Sequence, residues 1–201
     1  MRLDGKVTLI TGGAGGQGRV AALEFAKAGS AVVVCDVDAA GLSETTDLVV
    51  AEGGRAEGVV GSVADADDVD RVVATAVDVY GHLDVLYNNA AIYLPGRGDA
   101  PVADLEESFW QQILDVNLKG VYLCAKRAIP ELRRAGGGAI VNIASLGGTR
   151  GSRTAHAYAA AKGGVIALTY SMAVTYGPDN IRVNAIAPGA IDTPMMPPPR
   201  R

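Results

Sequence analysis

The sequence predicts an α/β protein whose core is a doubly wound parallel β-sheet of about six strands, with helices on both faces. Three observations lead to this prediction. Short apolar runs alternate with helical patterns along the whole chain. A glycine-rich turn joins the first run to the first helical segment, and an aspartate, Asp36, ends the second run. Strands that alternate with helices in this way form parallel sheets through crossover connections.

The strands are predicted from six short runs rich in Val, Ile and Ala. These runs are almost continuously apolar, which is typical of strands that are buried on both faces of a parallel sheet. Each run ends near a Gly, Asp, Asn or Pro residue, which favours a turn. The predicted strands are Val7–Ile10, Ala31–Cys35, Glu57–Val60, Leu83–Tyr87, Ala139–Ile143 and Arg182–Ile186.

The helices are predicted from the segments between these runs, several of which stop at glycine. The predicted helices are Arg19–Ala28, Leu42–Ala51, Val69–Tyr80, Leu105–Arg134 and His156–Tyr176. The segment Leu105–Arg134 is predicted to be one long helix, or two helices joined near Asn117. Without a linker or an internal repeat, we expect residues 1–201 to form a single domain. Residues 194–201 form a proline-rich tail that cannot enter a central strand.

Composition and charge restrict the classes of partner. The 201 residues are 49% hydrophobic and carry a formal net charge of −4, so binding to nucleic acid or to an anionic membrane has no electrostatic basis. Cys35 and Cys124 are far apart in apolar surroundings, which predicts reduced, buried thiols, and no Cys/His cluster indicates a metal. We find no signal peptide and no apolar run approaching ~18 residues, and we expect a cytoplasmic protein without a membrane span.

The glycine-rich turn TGGAGGQG predicts a dinucleotide site. Glycines allow a tight turn and let backbone amides approach a pyrophosphate, and the helix that follows adds a favourable dipole. Such a turn could also be merely flexible, but its place between the first strand and the first helix favours binding. The residues expected to contact the cofactor here are Gly12, Gly15, Gly16, Gln17 and Gly18.

Asp36 indicates which dinucleotide is preferred. A carboxylate at the end of the second strand can accept hydrogen bonds from the adenosine ribose and would repel a 2′-phosphate. Gly15 and Val37, where a basic residue could neutralise that phosphate, are not basic. Arg19 could meet the phosphate, but it points along the first helical turn. The sequence therefore predicts NAD rather than NADP, although Asp36 could also be a simple capping residue.

Further polar residues follow the later strands, at the edge of the sheet where the cofactor is expected. Asn89 and Ala90 follow the fourth strand and Ser145 follows the fifth. Tyr158 and Lys162 share one face of a helix at positions i and i+4. Taken singly, each has an ordinary structural explanation, such as a strand-end cap for Ser145, a helix irregularity for Asn117 or a solvated charge for Lys162.

Taken together, these motifs resemble the short-chain dehydrogenase/reductase family, from Lys6 to about Met196. The matching segments are TGGAGGQG at 11–18, NNAA at 88–91, Asn117, Ser145, YAAAK at 158–162 and APGAIDT at 187–193. The resemblance implies a Rossmann fold and a catalytic tetrad of Asn117, Ser145, Tyr158 and Lys162. It also implies further cofactor contacts at Ser62, Val63, Asn89, Ala90, Pro188, Gly189, Ile191 and Thr193.

The chain departs from the family pattern in three places. Ser62 stands where the family usually has an aspartate beside the adenine, and a hydroxyl binds the adenine amino group more weakly than a carboxylate. Ala91 replaces the glycine of the usual NNAG motif. Family members also usually continue further, through a substrate-covering helix and a seventh strand, so we expect a more open substrate side here.

The resemblance implies hydride transfer between a nicotinamide and a carbon that carries a hydroxyl or carbonyl group. Tyr158 is then the general acid/base, with its pKa lowered by Lys162 and the positively charged nicotinamide ring. Lys162 would also hold the ribose, Ser145 would hydrogen-bond the substrate oxygen, and Asn117 would hold a water linked to Lys162.

Three functions remain open from the sequence alone. The first is an NAD-dependent oxidoreductase acting on a secondary alcohol or ketone, whose identity the sequence does not give. The second is a truncated NAD-binding homologue with little activity, serving as a sensor or partner subunit. The third, a nucleotide-binding regulator of nucleic-acid transactions, has only the fold in its favour. By analogy with the family we also expect a homodimer formed through the helices of Leu105–Arg134 and His156–Tyr176.

Overall fold

The computed structural model describes residues 2–193 and Met195, and within these residues six strands form one parallel sheet. The strands are β1 Val7–Thr11, β2 Ala31–Asp36, β3 Arg55–Val60, β4 Val85–Asn88, β5 Gly138–Ile143 and β6 Ile181–Ile186. Their order in the sheet is β3-β2-β1-β4-β5-β6. The chain therefore starts in the middle of the sheet, winds to one edge, and crosses back to build the other half. This arrangement confirms the predicted doubly wound Rossmann fold. The predicted tail at 194–201 lies outside the described residues except for Met195.

Helices connect the strands, and most begin earlier than the sequence predicted. They are α1 Gly16–Lys27, α2 Ala39–Ala51, α3 Ala66–Tyr80, α4 Glu107–Leu114, α5 Gly120–Arg134 and α6 His156–Tyr176. The predictions for α2 and α3 started at the apolar residues Leu42 and Val69, whereas the caps lie further upstream. The predicted start at Leu105 is two residues too early, because α4 begins at Glu107. Asp38 accepts hydrogen bonds from two amides of the first turn of α2, and Asp65 does the same for α3. Gly81, with a positive φ of 86°, ends α3.

The segment predicted as one long helix, or as two helices joined near Asn117, is divided into two helices. A π-helical segment, Asp115–Lys119, joins α4 to α5 and contains Asn117. A π-helical turn widens the backbone and weakens the regular hydrogen-bonding pattern, so it persists where side chains compensate for it. The fully buried Asn117 side chain is placed by this turn.

The two largest parts of the core are apolar layers that use alternate residues of the central strands. Leu9 and Val33 face one layer, which α3 and α5 cover. Ile10 and Val32 face the other layer, which α1 and α2 cover. Because side chains alternate along a strand, this pattern requires both faces of the sheet to be buried, as the continuous apolar runs predicted.

Both cysteines are buried and unpaired, as predicted. Burial raises the pKa of the Cys35 and Cys124 thiols to about 12. Among the residues that the structure describes, no helix is long and apolar enough to cross a membrane. The same residues contain no group of three or more His, Cys, Asp or Glu side chains that could hold a metal ion.

Candidate active site

The glycine-rich loop lies at the carboxyl end of β1 and is held there by the segment that follows β4. The side-chain amide of Asn89 donates to the carbonyl oxygens of Thr11 and Gly12, at 3.1 and 2.9 Å. The Thr11 hydroxyl accepts hydrogen bonds from the amides of Asn89 and Ala90. Asn89, predicted as a cofactor contact, therefore also fixes the shape of the loop.

Two glycines of the loop are required by close backbone approaches. Gly12 has a positive φ of 69°, and a Cβ there would lie 2.6 Å from the Cα of Ala90. A Cβ on Gly18 would lie 2.0 Å from the carbonyl oxygen of Gly12. Larger residues at either position would push the loop out of shape.

Asp36 at the end of β2 is attached to the same loop. One carboxylate oxygen accepts from the amide of Ala14 at 2.9 Å, and the other accepts from the amide of Asp38 at 3.1 Å. The guanidinium of Arg19 is turned toward α2, where it lies 2.7 Å from the carboxylate of Glu44 and also donates to the carbonyl of Ala14. Arg19 is thus engaged in an ion pair.

Three of the four candidate catalytic residues, Ser145, Tyr158 and Lys162, lie near the carboxyl end of β5. Lys162 lies one turn after Tyr158 in α6, and its ammonium nitrogen is 5.8 Å from the centroid of the Tyr158 ring. The same nitrogen donates to the carbonyl oxygen of Ile143, at 2.6 Å. Ser145 follows β5, and its hydroxyl accepts from the amide of Gly147 at 3.1 Å.

A single cavity of about 520 Å³ runs between the glycine loop and this cluster. Most of the predicted site residues line it: Gly12, Gly15, Gly16, Gln17, Asp36, Asn89, Ala90, Ser145, Tyr158, Lys162, Pro188, Gly189, Ile191 and Thr193. The volume lies in the usual range of small-molecule and cofactor sites. One end is therefore shaped by backbone and a carboxylate, and the other end carries a phenol, a hydroxyl and an ammonium group.

Comparison with known proteins identifies the family to which the chain belongs. The family model described as short chain dehydrogenase matches residues 6–201. The chain belongs to the short-chain dehydrogenase family.

Individual relatives cover nearly all of this chain and about three quarters of their own length. A 3-oxoacyl-[acyl-carrier-protein] reductase from Thermotoga maritima is 41% identical over 199 residues, which are 97% of this chain and 78% of that protein. A cis-4-hydroxycyclohexanecarboxylate dehydrogenase from Sinomonas cyclohexanicum is 41% identical over 191 residues, 95% of this chain and 75% of that protein. The crystal structure of levodione reductase superposes with a TM-score of 0.92 at 37% identity, covering 96% of this chain and 75% of that one. These three similar proteins are named as dehydrogenases or reductases.

Four residues predicted from the family motifs lie outside the cavity: Gly18, Ser62, Val63 and Asn117. The Ser62 hydroxyl accepts from the amide of Ala64 at 3.2 Å, and its own amide donates to Asp68. Val63 is 7% exposed and packs against Gly120. Their contacts with an adenine therefore stay predictions.

Asn117 is fully buried and forms a reciprocal pair with the backbone of Ile92. Its side-chain oxygen accepts from the Ile92 amide and its side-chain nitrogen donates to the Ile92 carbonyl, both at 2.8 Å. This pair ties the π-helical turn to the segment after β4. The side chain is thus occupied by the backbone, and a water held between Asn117 and Lys162 stays a prediction.

The pKa of Tyr158 in the protein without cofactor is raised, whereas the sequence analysis expected it to be lowered. Burial raises the pKa of Tyr158, the Ser145 side chain acts in the opposite direction, and Tyr93 raises it further. Burial lowers the pKa of Lys162 to about 8. The expected lowering of the phenol pKa is therefore not a property of the protein by itself, because desolvation dominates.

The sequence analysis missed two residues beside the candidate catalytic group. Tyr93 lines the cavity, and its ring meets that of Tyr158 edge to face with centroids 4.7 Å apart. Asp99 is 1% exposed and accepts hydrogen bonds from the amides of Ala157 and Tyr158. Tyr93 could have been found from its place three residues after Ala90. No local pattern signals Asp99, whose partners lie 58 and 59 positions away.

Proposed function

We propose that this chain is an NAD-dependent oxidoreductase that transfers a hydride between nicotinamide and a secondary alcohol or ketone. The observation that carries the proposal is the shared cavity. Tyr158, Ser145 and Lys162 line one part of it, and the glycine loop and Asp36 line another. A dinucleotide is the ligand that would extend between two such regions.

The residues of the glycine loop fit a pyrophosphate. Gly12 and Gly18 leave no room for a Cβ, so the loop is compact. Of the residues at the start of α1, Gly15, Gly16 and Gln17 line the cavity and Gly18 does not. A helix N-terminus beside a cavity favours an anion.

Asp36 supports NAD over NADP. Its carboxylate faces the cavity and would repel a 2′-phosphate, and the nearby cation Arg19 is already paired with Glu44. Among the described residues that line the cavity, the only basic one is Lys162, which lies with the catalytic cluster.

When bound, the nicotinamide supplies the carbon that accepts or donates the hydride. In the direction of oxidation, Tyr158 removes the proton of the substrate hydroxyl, and in reduction it returns that proton. Ser145 donates a hydrogen bond to the substrate oxygen as negative charge develops on it. Lys162, held by the Ile143 carbonyl, provides positive charge beside the phenol. Proton transfer to and from Tyr158 is therefore this chain's own share of the chemistry.

The cavity wall around Tyr158 favours a substrate with an apolar skeleton. The ring of Tyr93 contacts that of Tyr158, and Leu146 and Met195 also line the cavity. The relative from Sinomonas cyclohexanicum is named for a hydroxylated cyclohexane ring. We infer that alicyclic secondary alcohols and ketones are the first class to test, with acetoacetyl thioesters second because of the 3-oxoacyl reductase relative.

The test is turnover with NAD, followed by the absorbance of NADH. The panel holds cyclohexanol derivatives, sugars, steroids and an acetoacetyl thioester, each in the thermodynamically favourable direction. Turnover of one class with NAD supports the proposal. NAD binding without turnover of any class would instead favour the binding-only homologue that the sequence left open.

We also infer a homodimer formed through the long helices. Tyr170 and Val174 on α6 are 70% and 82% exposed, and Tyr122 on α5 is 46% exposed. These side chains lie on the two helices through which the family resemblance implies pairing, and contiguous apolar surface is typical of subunit contacts. A dimer in light scattering is the expected result.

A further inference from the structure

The first turn of α6, which carries Tyr158, has no cap from its own neighbours. Ala155 precedes the helix and offers no side-chain acceptor. The acceptor comes from Asp99, in the segment between β4 and α4. One of its carboxylate oxygens accepts from the Ala157 amide at 3.0 Å, and the other accepts from the Tyr158 amide at 2.9 Å. A distant carboxylate therefore satisfies two of the free donors at this helix start.

The same segment contacts the first turn of α6 at two further points. The Val102 amide donates to Nδ1 of His156 at 3.0 Å. The ring of Tyr93 contacts the ring of Tyr158. The start of α6 is thus held from one side by residues 93–102.

Asp99 is itself fixed by its own backbone. Its amide donates to the carbonyl of Leu94 at 3.0 Å, and its carbonyl accepts from the amide of Gly96 at 3.1 Å. Its side chain is 1% exposed. A buried carboxylate with both oxygens satisfied in this way has little freedom to move.

We propose that Asp99 is a positioning residue for Tyr158: it fixes the first turn of α6, and its charge favours the protonated phenol. The proposal rests on the proposed function of Tyr158 as general acid/base. A displacement of the phenol by one ångström would cost on the order of 10²-fold in rate, so a fixed helix start matters for catalysis.

The charge effect has a definite sign. Tyr158 is the third residue of α6, where the positive end of the helix dipole favours an ionised phenol. The carboxylate of Asp99 beside the same turn opposes this effect. Removing that negative charge should therefore lower the pKa of Tyr158.

The other polar and titratable residues near Tyr158 keep their identity in the variants. Lys162 lies on the same helix, and Tyr93 belongs to the segment after β4. Ser145 follows β5, and His156 begins α6. A change in the pKa of Tyr158 can then be assigned to position 99.

The experiment compares Asp99→Asn, Asp99→Glu and a control, Asp65→Asn. Asp65 also accepts from two amides at a helix start, that of α3, with one carboxylate oxygen at 2.9 and 3.0 Å. The pKa of Tyr158 is read by carbon-13 NMR of ring-labelled tyrosine, with its signal assigned by its loss in Tyr158→Phe. It is measured in the protein alone and with saturating NAD, and kcat, KM and NAD affinity are measured beside it.

In Asp99→Asn we expect the pKa of Tyr158 to fall by roughly half a unit to one unit, and kcat to fall by on the order of 10-fold. In Asp99→Glu the charge remains, so kcat falls while the pKa stays close to that of the wild type. NAD affinity and KM change little in either variant, and Asp65→Asn changes neither the pKa nor kcat.

Three results would overturn the proposal. Asp99→Asn could leave both the pKa of Tyr158 and kcat at the wild-type values. Asp65→Asn could lower the pKa as much as Asp99→Asn. Both Asp99 variants could fail to fold, which would mean that the carboxylate supports the whole domain. If the wild type turned over no substrate, the proposed function would fail, and the NMR comparison would still decide the role of Asp99.

Discussion

Burial of Lys162 should make the protein less stable near neutral pH than a variant without the charge. The side chain is 2% exposed, and burial lowers its pKa from 10.5 to about 8. A difference of that size corresponds to about 3 kcal/mol, because one pKa unit is about 1.4 kcal/mol. Lys162→Met fills similar space without the charge. It loses the hydrogen bond to the Ile143 carbonyl, which contributes about 1 kcal/mol, so we expect a net gain of about 2 kcal/mol at about pH 7.

The gain should disappear as the pH rises. Below a pH of about 8, both the folded and the unfolded wild-type chain bind the proton on Lys162, and the cost of the buried charge is constant. Between about 8 and 10.5 the unfolded chain binds more protons than the folded one, so wild-type stability increases with pH. The advantage of Lys162→Met should therefore shrink by about 2.5 kcal/mol between about pH 7 and about pH 10.

The assay is urea unfolding without cofactor, followed by the fluorescence of Trp110, the only tryptophan. Lys27→Met is the matched control, because Lys27 is exposed at the end of α1. The control should change little and show no comparable pH dependence. A Lys162→Met variant that is less stable than wild type at neutral pH, or whose stability difference is independent of pH, would refute the reasoning.

Three further predictions concern the cofactor and the assembly. Asp36→Ala should lower the ratio of NAD affinity to NADP affinity in fluorescence titrations, because the carboxylate that repels the 2′-phosphate is gone. An unchanged ratio would contradict this role of the carboxylate. Gly18→Ala should weaken NAD binding at least about 10-fold, because the new Cβ would lie 2.0 Å from the Gly12 carbonyl oxygen. The control is Gly177→Ala, where a Cβ meets nothing within 4 Å. Val174→Glu should shift the assembly toward monomer in light scattering, whereas the control Val79→Glu on α3 should not. A dimer that persists in Val174→Glu would exclude the exposed face of α6 as the dimer interface.

The parts of the fold that depend on local sequence could be predicted. The strands follow from runs such as Ala31–Cys35, in which continuous apolar residues are required by burial on both faces. The glycine loop and Asp36 could be placed together because the carboxyl ends of neighbouring parallel strands meet at one edge of the sheet.

The parts that depend on pairing between distant segments could not be predicted. The partners of Asp99 and Asn117 are backbone groups far away in the sequence, and any aspartate or asparagine in a loop or helix looks the same without them. The burial of Lys162 is equally invisible, because a lysine on a helix is usually solvated. For the same reason the direction of the pKa shift of Tyr158 required the structure, since it depends on how much water the surrounding segments exclude.

The central claim, that Tyr158 transfers the substrate proton, is tested most directly by the turnover of Tyr158→Phe. The control is Tyr170→Phe, which removes an exposed phenol from the same helix. With the substrate found in the panel, we expect kcat of Tyr158→Phe to fall by on the order of 10²- to 10⁴-fold, while its NAD affinity stays at the wild-type value and Tyr170→Phe remains fully active. Wild-type turnover by Tyr158→Phe would contradict the account.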